Sequence, residues 1–132
     1  MLKGGCLNPQ MAHAMASLGH KDMLVVSDAG LPIPQAVERI DLAWKPNEPA
    51  YLPVLEEVLK NIVVEKVILA QELKTVSPQM HQKVLSLLPA GVEIEYVPHI
   101  ELKNLTQGAR AIIRTGEFTP YPSIILVCGC AY

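Results

Sequence analysis

The chain has 132 residues, half of them hydrophobic and 18% charged, with a formal net charge of −2. It has no basic run and only 5% aromatic residues, so it offers neither a phosphate track nor a base-stacking platform, which argues against a nucleic-acid partner. The length fits one domain, residues 1–132, and a chain this short with so little charge to cover its surface points to a buried subunit interface, hence a homo-oligomer.

Taken in order, Met1 to Gly5 leads into no apolar h-region, so no secretory signal is expected. Asn8-Pro9 reads as a helix start, an N-cap followed by proline at the first helical position. Met11, Met15 and Leu18 fall on one face, and Gly19 offers a left-handed stop. His13 lies inside this helix and reads as a partly exposed helix histidine. Met23 to Val26 is an apolar run without alternation, as in a strand covered on both faces. Asp28 follows directly, and Gly30, Pro32 and Pro34 forbid regular structure after it.

Arg39 to Ala43 reads as a second strand or extended edge, and Lys45 to Pro49 as a loop. Leu52, Leu55, Val58, Leu59 and Ile62 mark an amphipathic helix, with Pro53 near its start. Val63 to Ala70 is a buried strand. Ser77-Pro78 opens a helix with Met80, Val84, Leu87 and Leu88 inward, ended by Pro89 and Gly91. Val92 to Val97 is a strand, and Pro98-His99 begins a loop. Ile100 to Gln107 is a short helix, Ala111 to Arg114 a strand, and Ile124 to Val127 the last strand. That final run is far too short to span a bilayer, so no membrane partner is expected. Strands alternating with helices predict an α/β fold: a three-layer α/β/α domain with a mostly parallel sheet.

Several chemistries lack their motifs. There is no Gly-x-Gly-x-x-Gly after a strand, no Walker-type Gly-Lys-Ser/Thr and no Gly-x-Ser-x-Gly elbow. Cys128-Gly129-Cys130 lacks the spacer of most zinc pairs and reads as two small core thiols, so neither a metal nor a cofactor is expected. Three cysteines in all favour reduced thiols and a cytoplasmic location. His81 reads as a helix-surface residue. What remains are His20, on the loop feeding the first strand, and Asp28, His99 and Tyr121, which follow strands or flank loops. Ligands of open α/β sheets collect beyond the strands' carboxyl ends. By themselves, His99 after a proline reads as structural and Tyr121 between Pro120 and Pro122 as a turn aromatic.

A set of motifs changes that balance. Gly19-His20-x-Asp22, then Asp28-Ala29-Gly30-Leu31-Pro32-Ile33-Pro34, with Asn8 before them, resembles the D-ribose pyranase family, whose relatives include L-fucose mutarotase. Arg39-Ile40-Asp41-Leu42, Ile113-Arg114-Thr115-Gly116-Glu117 and Pro120-Tyr121 extend the resemblance over nearly the whole chain. It implies the same layered α/β fold with one antiparallel strand, and a cofactor-free isomerase interconverting the pyranose and furanose forms of D-ribose. It implies His20 as proton donor and Asp28, His99, Tyr121, Pro122 and Ser123 as sugar-binding residues. It also implies a homo-oligomer of two stacked pentamers, a decamer, with sites shared between subunits, the segment Tyr121 to Ser123 reaching the pocket of a neighbouring subunit. The chemistry suits these residue types. Ring opening and closure moves protons only, an imidazole titrating near neutrality both gives and takes them, and a carboxylate accepts from two hydroxyls.

The chain departs from the family pattern at Ser123, where asparagine is usual, at Pro122, which replaces a small residue, and at Cys128-Gly129-Cys130-Ala131-Tyr132. Those departures bear on which sugar is taken more than on the reaction class. A mutarotase for another monosaccharide, a non-catalytic sugar-binding accessory of a ribose transporter and a structural interaction domain stand as rival readings. A need for His20 separates catalysis from binding alone.

Overall fold

In the computed structural model, which describes residues 1–132, the Asn8 side chain accepts from the Met11 N–H at 2.9 Å and caps α1 (Pro9–Ala16). Met11, Ala14 and Met15 face inward, while His13 stays exposed. The helix ends sooner than the sequence suggests. Ser17 is its C-cap, and the left-handed residue that turns the chain is Lys21, at φ 70°, in place of Gly19. Gly19 donates its N–H to Asp22 Oδ2 at 2.8 Å, so an Asp side chain closes the turn assigned to glycine.

Six strands form one sheet: β1 (Met23–Ser27), β2 (Glu38–Asp41), β3 (Val64–Ala70), β4 (Glu93–Val97), β5 (Ala111–Arg114) and β6 (Ile124–Cys128). Their order is β2-β5-β1-β6-β3-β4. Every pairing is parallel except those of β6, which runs antiparallel to both β1 and β3. The mostly parallel sheet with one reversed strand is therefore present.

Alternate residues of each strand enter opposite layers. Leu24 and Val26 of β1 join the larger core with α1, α2 (Tyr51–Asn61) and α4 (Pro78–Leu87). Val25 joins the smaller core with Leu102 of α5 (His99–Leu105) and loop residues Leu31 and Val37. Both faces of β1 are covered, which is why its sequence shows no alternation. Burying each such Leu or Val contributes roughly 1.5–3 kcal/mol.

Three elements depart from the sequence reading. A short helix α3 (Glu72–Val76) lies where none was anticipated; five residues with one buried anchor, Leu73, are too few to show a period. His99 is the first residue of α5, not a loop residue. The Glu72 carboxylate accepts its N–H at 3.0 and 3.1 Å, a cap supplied from another element and so invisible locally. β6 ends at Cys128, which is buried, whereas Cys130 lies beyond the strand and is exposed, so only one of the two is a core thiol. No helix is long and apolar enough to cross a membrane.

Candidate functional site

Because β6 alone is reversed, its entry loop reaches the same edge of the sheet as the carboxyl ends of the parallel strands. Ser27 hands over to Asp28, Val97 to α5, and Arg114 to the segment that ends at Tyr121 to Ser123. They enclose an open cavity of about 510 Å³ lined by Asp28, His99, Lys103, Arg114, Glu117 and Tyr121, among others. A monosaccharide is well within that size.

Asp28 forms one wall and is nearly buried, at 9% exposure. Its Oδ1 accepts the Gly30 N–H at 2.9 Å, an Asx turn that sets the start of the loop. Its Oδ2 accepts from Ser123 Oγ at 2.8 Å, and the same hydroxyl oxygen accepts the Asp28 N–H at 3.1 Å. Ser123 is thus buried behind Asp28, at 1% exposure, with its hydroxyl committed on both sides. The expected direct contribution of Ser123 to a ligand is not what this geometry offers; it holds the carboxylate instead. Pro122 is likewise buried and does not line the cavity.

His99 and Tyr121 form the opposite wall, their rings edge-to-face with centroids 4.9 Å apart. Tyr121 sits at φ 71°, a left-handed backbone that a tyrosine before proline rarely adopts. Ser77 Oγ, donating to Pro120 O at 2.9 Å, anchors that turn. His99 Nδ1 is buried without a hydrogen-bond partner in the protein. Burial, helped by the charge of Lys103, lowers the His99 pKa against the opposing pull of Asp28 and Glu72, so the ring is held neutral.

Arg114 and Glu117 complete the lining and tie the loops down. Arg114 Nε donates to Ala29 O at 3.0 Å, while its Nη1 donates to both Asp41 oxygens at 3.0 and 3.2 Å. Burial would raise the Glu117 pKa, but the Tyr51 N–H at 3.0 Å and the Thr119 bonds outweigh it and keep the carboxylate ionised. Gly116 has no room for a side chain, since a Cβ there would lie 2.5 Å from the Glu48 carbonyl oxygen. In the sequence Arg114 and Glu117 stand out only as parts of a motif, and Lys103 carries no motif at all. Arg114 ends β5 and Glu117 follows it, while Lys103 lies one helical turn beyond His99 in α5, and those positions are the available signal.

His20 lies elsewhere. It precedes β1 whereas Asp28 follows it, so about 17 Å of strand separates the two. His20 Nε2 is 3.1 Å from Glu65 Oε2, beside Lys21, which also pairs with Glu65. It lines a second cavity of about 360 Å³ with Gly19, Cys128, Gly129 and Tyr132. The helix-end setting expected from the sequence is absent, for α1 stops at Ala16 and a helix field fades within its last turn. Glu65 is the charged group the imidazole meets. Within one chain, then, Asp28, His99 and Tyr121 converge and His20 does not join them. No group of three or more His, Cys, Asp or Glu side chains is placed to hold a metal ion.

A single mixed sheet with a polar cavity at its carboxyl edge defines a small α/β protein built to hold a polar ligand. The chain belongs to the RbsD / FucU transport protein family, whose model matches residues 1–131. It is 47% identical over 132 residues to the D-ribose pyranase of Laribacter hongkongensis, with both chains fully covered. It is 44% identical to that of Lactobacillus gasseri over the same full span. Bacillus subtilis RbsD, in its structure complexed with D-ribose, matches with a TM-score of 0.95 at 44% identity, both chains fully covered. The fucose mutarotase of Streptococcus pneumoniae, in complex with L-fucose, shares the fold at a TM-score of 0.79 and 20% identity, with 99% of this chain and all of the other covered.

Proposed function

We infer that this protein is a D-ribose pyranase, interconverting β-D-ribopyranose and β-D-ribofuranose without a cofactor. The observation that carries the reading is the cavity of Asp28, His99 and Tyr121, in a chain that follows a ribose-complexed relative over its full length at a TM-score of 0.95. In the proposed reaction the ring oxygen of one form takes a proton as the anomeric hydroxyl loses one. The open-chain aldehyde then closes through a different hydroxyl with the proton movements reversed. Asp28 accepts from sugar hydroxyls, neutral His99 supplies one acceptor or donor, and the Tyr121 phenol does either. His20 is the proton donor.

The distance of His20 from this cavity within one chain supports a pocket built from two subunits. His20 of one copy would face the Asp28 cavity of the next, in a ring of stacked pentamers. In that division Tyr121 and Ser123 stay with Asp28 of their own chain, in place of the crossing tyrosine segment that the resemblance implies, and His20 crosses the interface. A cyclic assembly repeats such a junction at every interface. The exposed Trp44 and Phe118, at 70% and 63%, stand near the cavity mouth, where an interface would cover them. A cytoplasmic location accords with the free cysteines.

NMR exchange spectroscopy on D-ribose, with and without the protein, tests the reading directly. Faster exchange between pyranose and furanose signals is expected. Acceleration only between anomers of one ring size would make the protein a mutarotase, and binding without acceleration would make it a sugar-binding accessory.

A further inference from the structure

Two side chains on α3 make bonds that their own helices do not use. Ser77 stands at the N-cap position of α4, where a serine hydroxyl ordinarily accepts an N–H of the helix's first turn. It makes no such bond. Its hydroxyl is turned the other way and donates to Pro120 O at 2.9 Å, beside Tyr121. At the other end of α3, both oxygens of Glu72 accept the His99 N–H, at 3.0 and 3.1 Å. Pro98, the residue before α5, offers that helix no side-chain cap, so Glu72 supplies it. Glu72 is the first residue of α3 and Ser77 its C-cap. One five-residue helix therefore reaches both segments that carry His99 and Tyr121.

That helix is itself fixed. Leu73 is fully buried in the larger core. The Gln71 N–H donates to Val97 O at 2.8 Å, which ties the start of α3 to the end of β4, and the Ser77 N–H donates to Leu73 O at 3.2 Å. The Tyr121 turn, in contrast, needs a hold from outside. Its φ of 71° is unfavourable for a tyrosine, and its neighbours Pro120 and Pro122 have no N–H with which to close it. Neither Glu72 nor Ser77 lines the cavity, so each acts there only through the residue it holds.

We propose that α3 is the strut of the cavity's aromatic wall, with Glu72 and Ser77 as positioning residues that set the edge-to-face contact of His99 and Tyr121. The attraction between two such rings is too weak to fix their spacing alone, so the 4.9 Å between centroids follows the backbones that carry them. The consequence for sugar binding rests on the reading of the cavity as the ribose site, whereas the effect on ring geometry stands apart from any ligand.

The test has two arms, run on Ser77→Ala, Glu72→Ala and Glu72→Gln, the last of which keeps an acceptor oxygen for the His99 N–H. In the first arm, NMR of histidine-labelled, sugar-free protein follows the carbon-bound ring protons of His99, assigned with His99→Asn. Tyr121→Leu, which removes the neighbouring ring current, gives the reference position. Both alanine variants should move the His99 signals toward that reference, and Glu72→Gln should hold them near wild type. In the second arm, the ribose concentration for half-maximal exchange should rise about two- to tenfold in the alanine variants, as for loss of one hydrogen bond. The rate at saturating ribose should change less than twofold. His99 signals unmoved in the alanine variants would overturn the strut, even if thermal stability fell. Moved signals with an unchanged ribose dependence would also overturn the proposal, leaving Glu72 and Ser77 structural. An alanine variant that does not fold is replaced by Ser77→Cys or Glu72→Asp, which weaken the same bonds and are read by the same criteria. Should wild type fail to accelerate ribose exchange, the pyranase reading falls, and the sugar-free arm still decides the strut.

Discussion

Ser123→Ala provides the sharpest test of how the Asp28 wall is built. The wild-type hydroxyl sits at 1% exposure, donates to Asp28 Oδ2 at 2.8 Å and receives the Asp28 N–H at 3.1 Å. Alanine removes both bonds and adds no group that could replace them. A buried N–H left without a partner costs ~1–3 kcal/mol, and a hydrogen bond to a carboxylate contributes ~1.5–3 kcal/mol. The two losses share one atom, and Asp28 can draw partial compensation from solvent at the cavity, so the sum should fall at about 2–4 kcal/mol. For a domain of this size that corresponds to a melting temperature lower by roughly 7–14 °C. Thermal unfolding followed by circular dichroism, at equal protein concentrations, measures it. The Asp28 carboxylate would also lose its fixed orientation, so the ribose concentration for half-maximal exchange should rise. A stability change under about 0.5 kcal/mol, the size of an ordinary surface substitution, would show that Ser123 does not hold Asp28, and the description of that wall would be wrong.

Three further outcomes are expected. Mixing unfolded His20→Ala and Tyr121→Ala subunits and reassembling them should restore activity at roughly a quarter of interfaces, because the two side chains occupy opposite edges of one sheet and each intact pair comes from different copies; hybrid rings without activity would exclude the shared pocket. Burial and Lys103 lower the His99 pKa from the ordinary 6.5, so the folded state disfavours the imidazolium: the penalty is absent above the unfolded value, grows as pH falls through it, and levels off below the lowered folded value. Ribose affinity should therefore hold from about pH 8 to about 6.5 and weaken only below that, with His99→Asn flattening the acid limb; a loss already complete between about pH 8 and 7 would contradict the sign. Exhaustive chelation should leave ribose exchange unchanged, since the proposed proton transfers use imidazole, carboxylate and phenol alone; loss on chelation and recovery with zinc would refute this.

The sequence alone determined most of what depends on neighbours along the chain. The Asn8-Pro9 start of α1, the apolar runs of β1 and β3 and the Ser77-Pro78 start of α4 all follow from local capping, periodicity and proline chemistry, which read out over a few residues. The placement of Asp28 at a strand's carboxyl end was legible for the same reason. The tertiary structure decided whatever depends on residues distant in the chain. α3 and the helical start at His99 exist through Leu73 burial and the Glu72 cap, neither of which has a local signature. The cap on α2 comes from Glu117, 66 residues away. Ser123 faces Asp28 because β6 is antiparallel to β1 and pairs Ile124 with Val26, which brings the two residues together across 95 positions. His20 lies at the far end of β1 because it precedes that strand while Asp28 follows it. A sequence names the residue types that suit proton transfer, but strand direction decides which of them share a pocket.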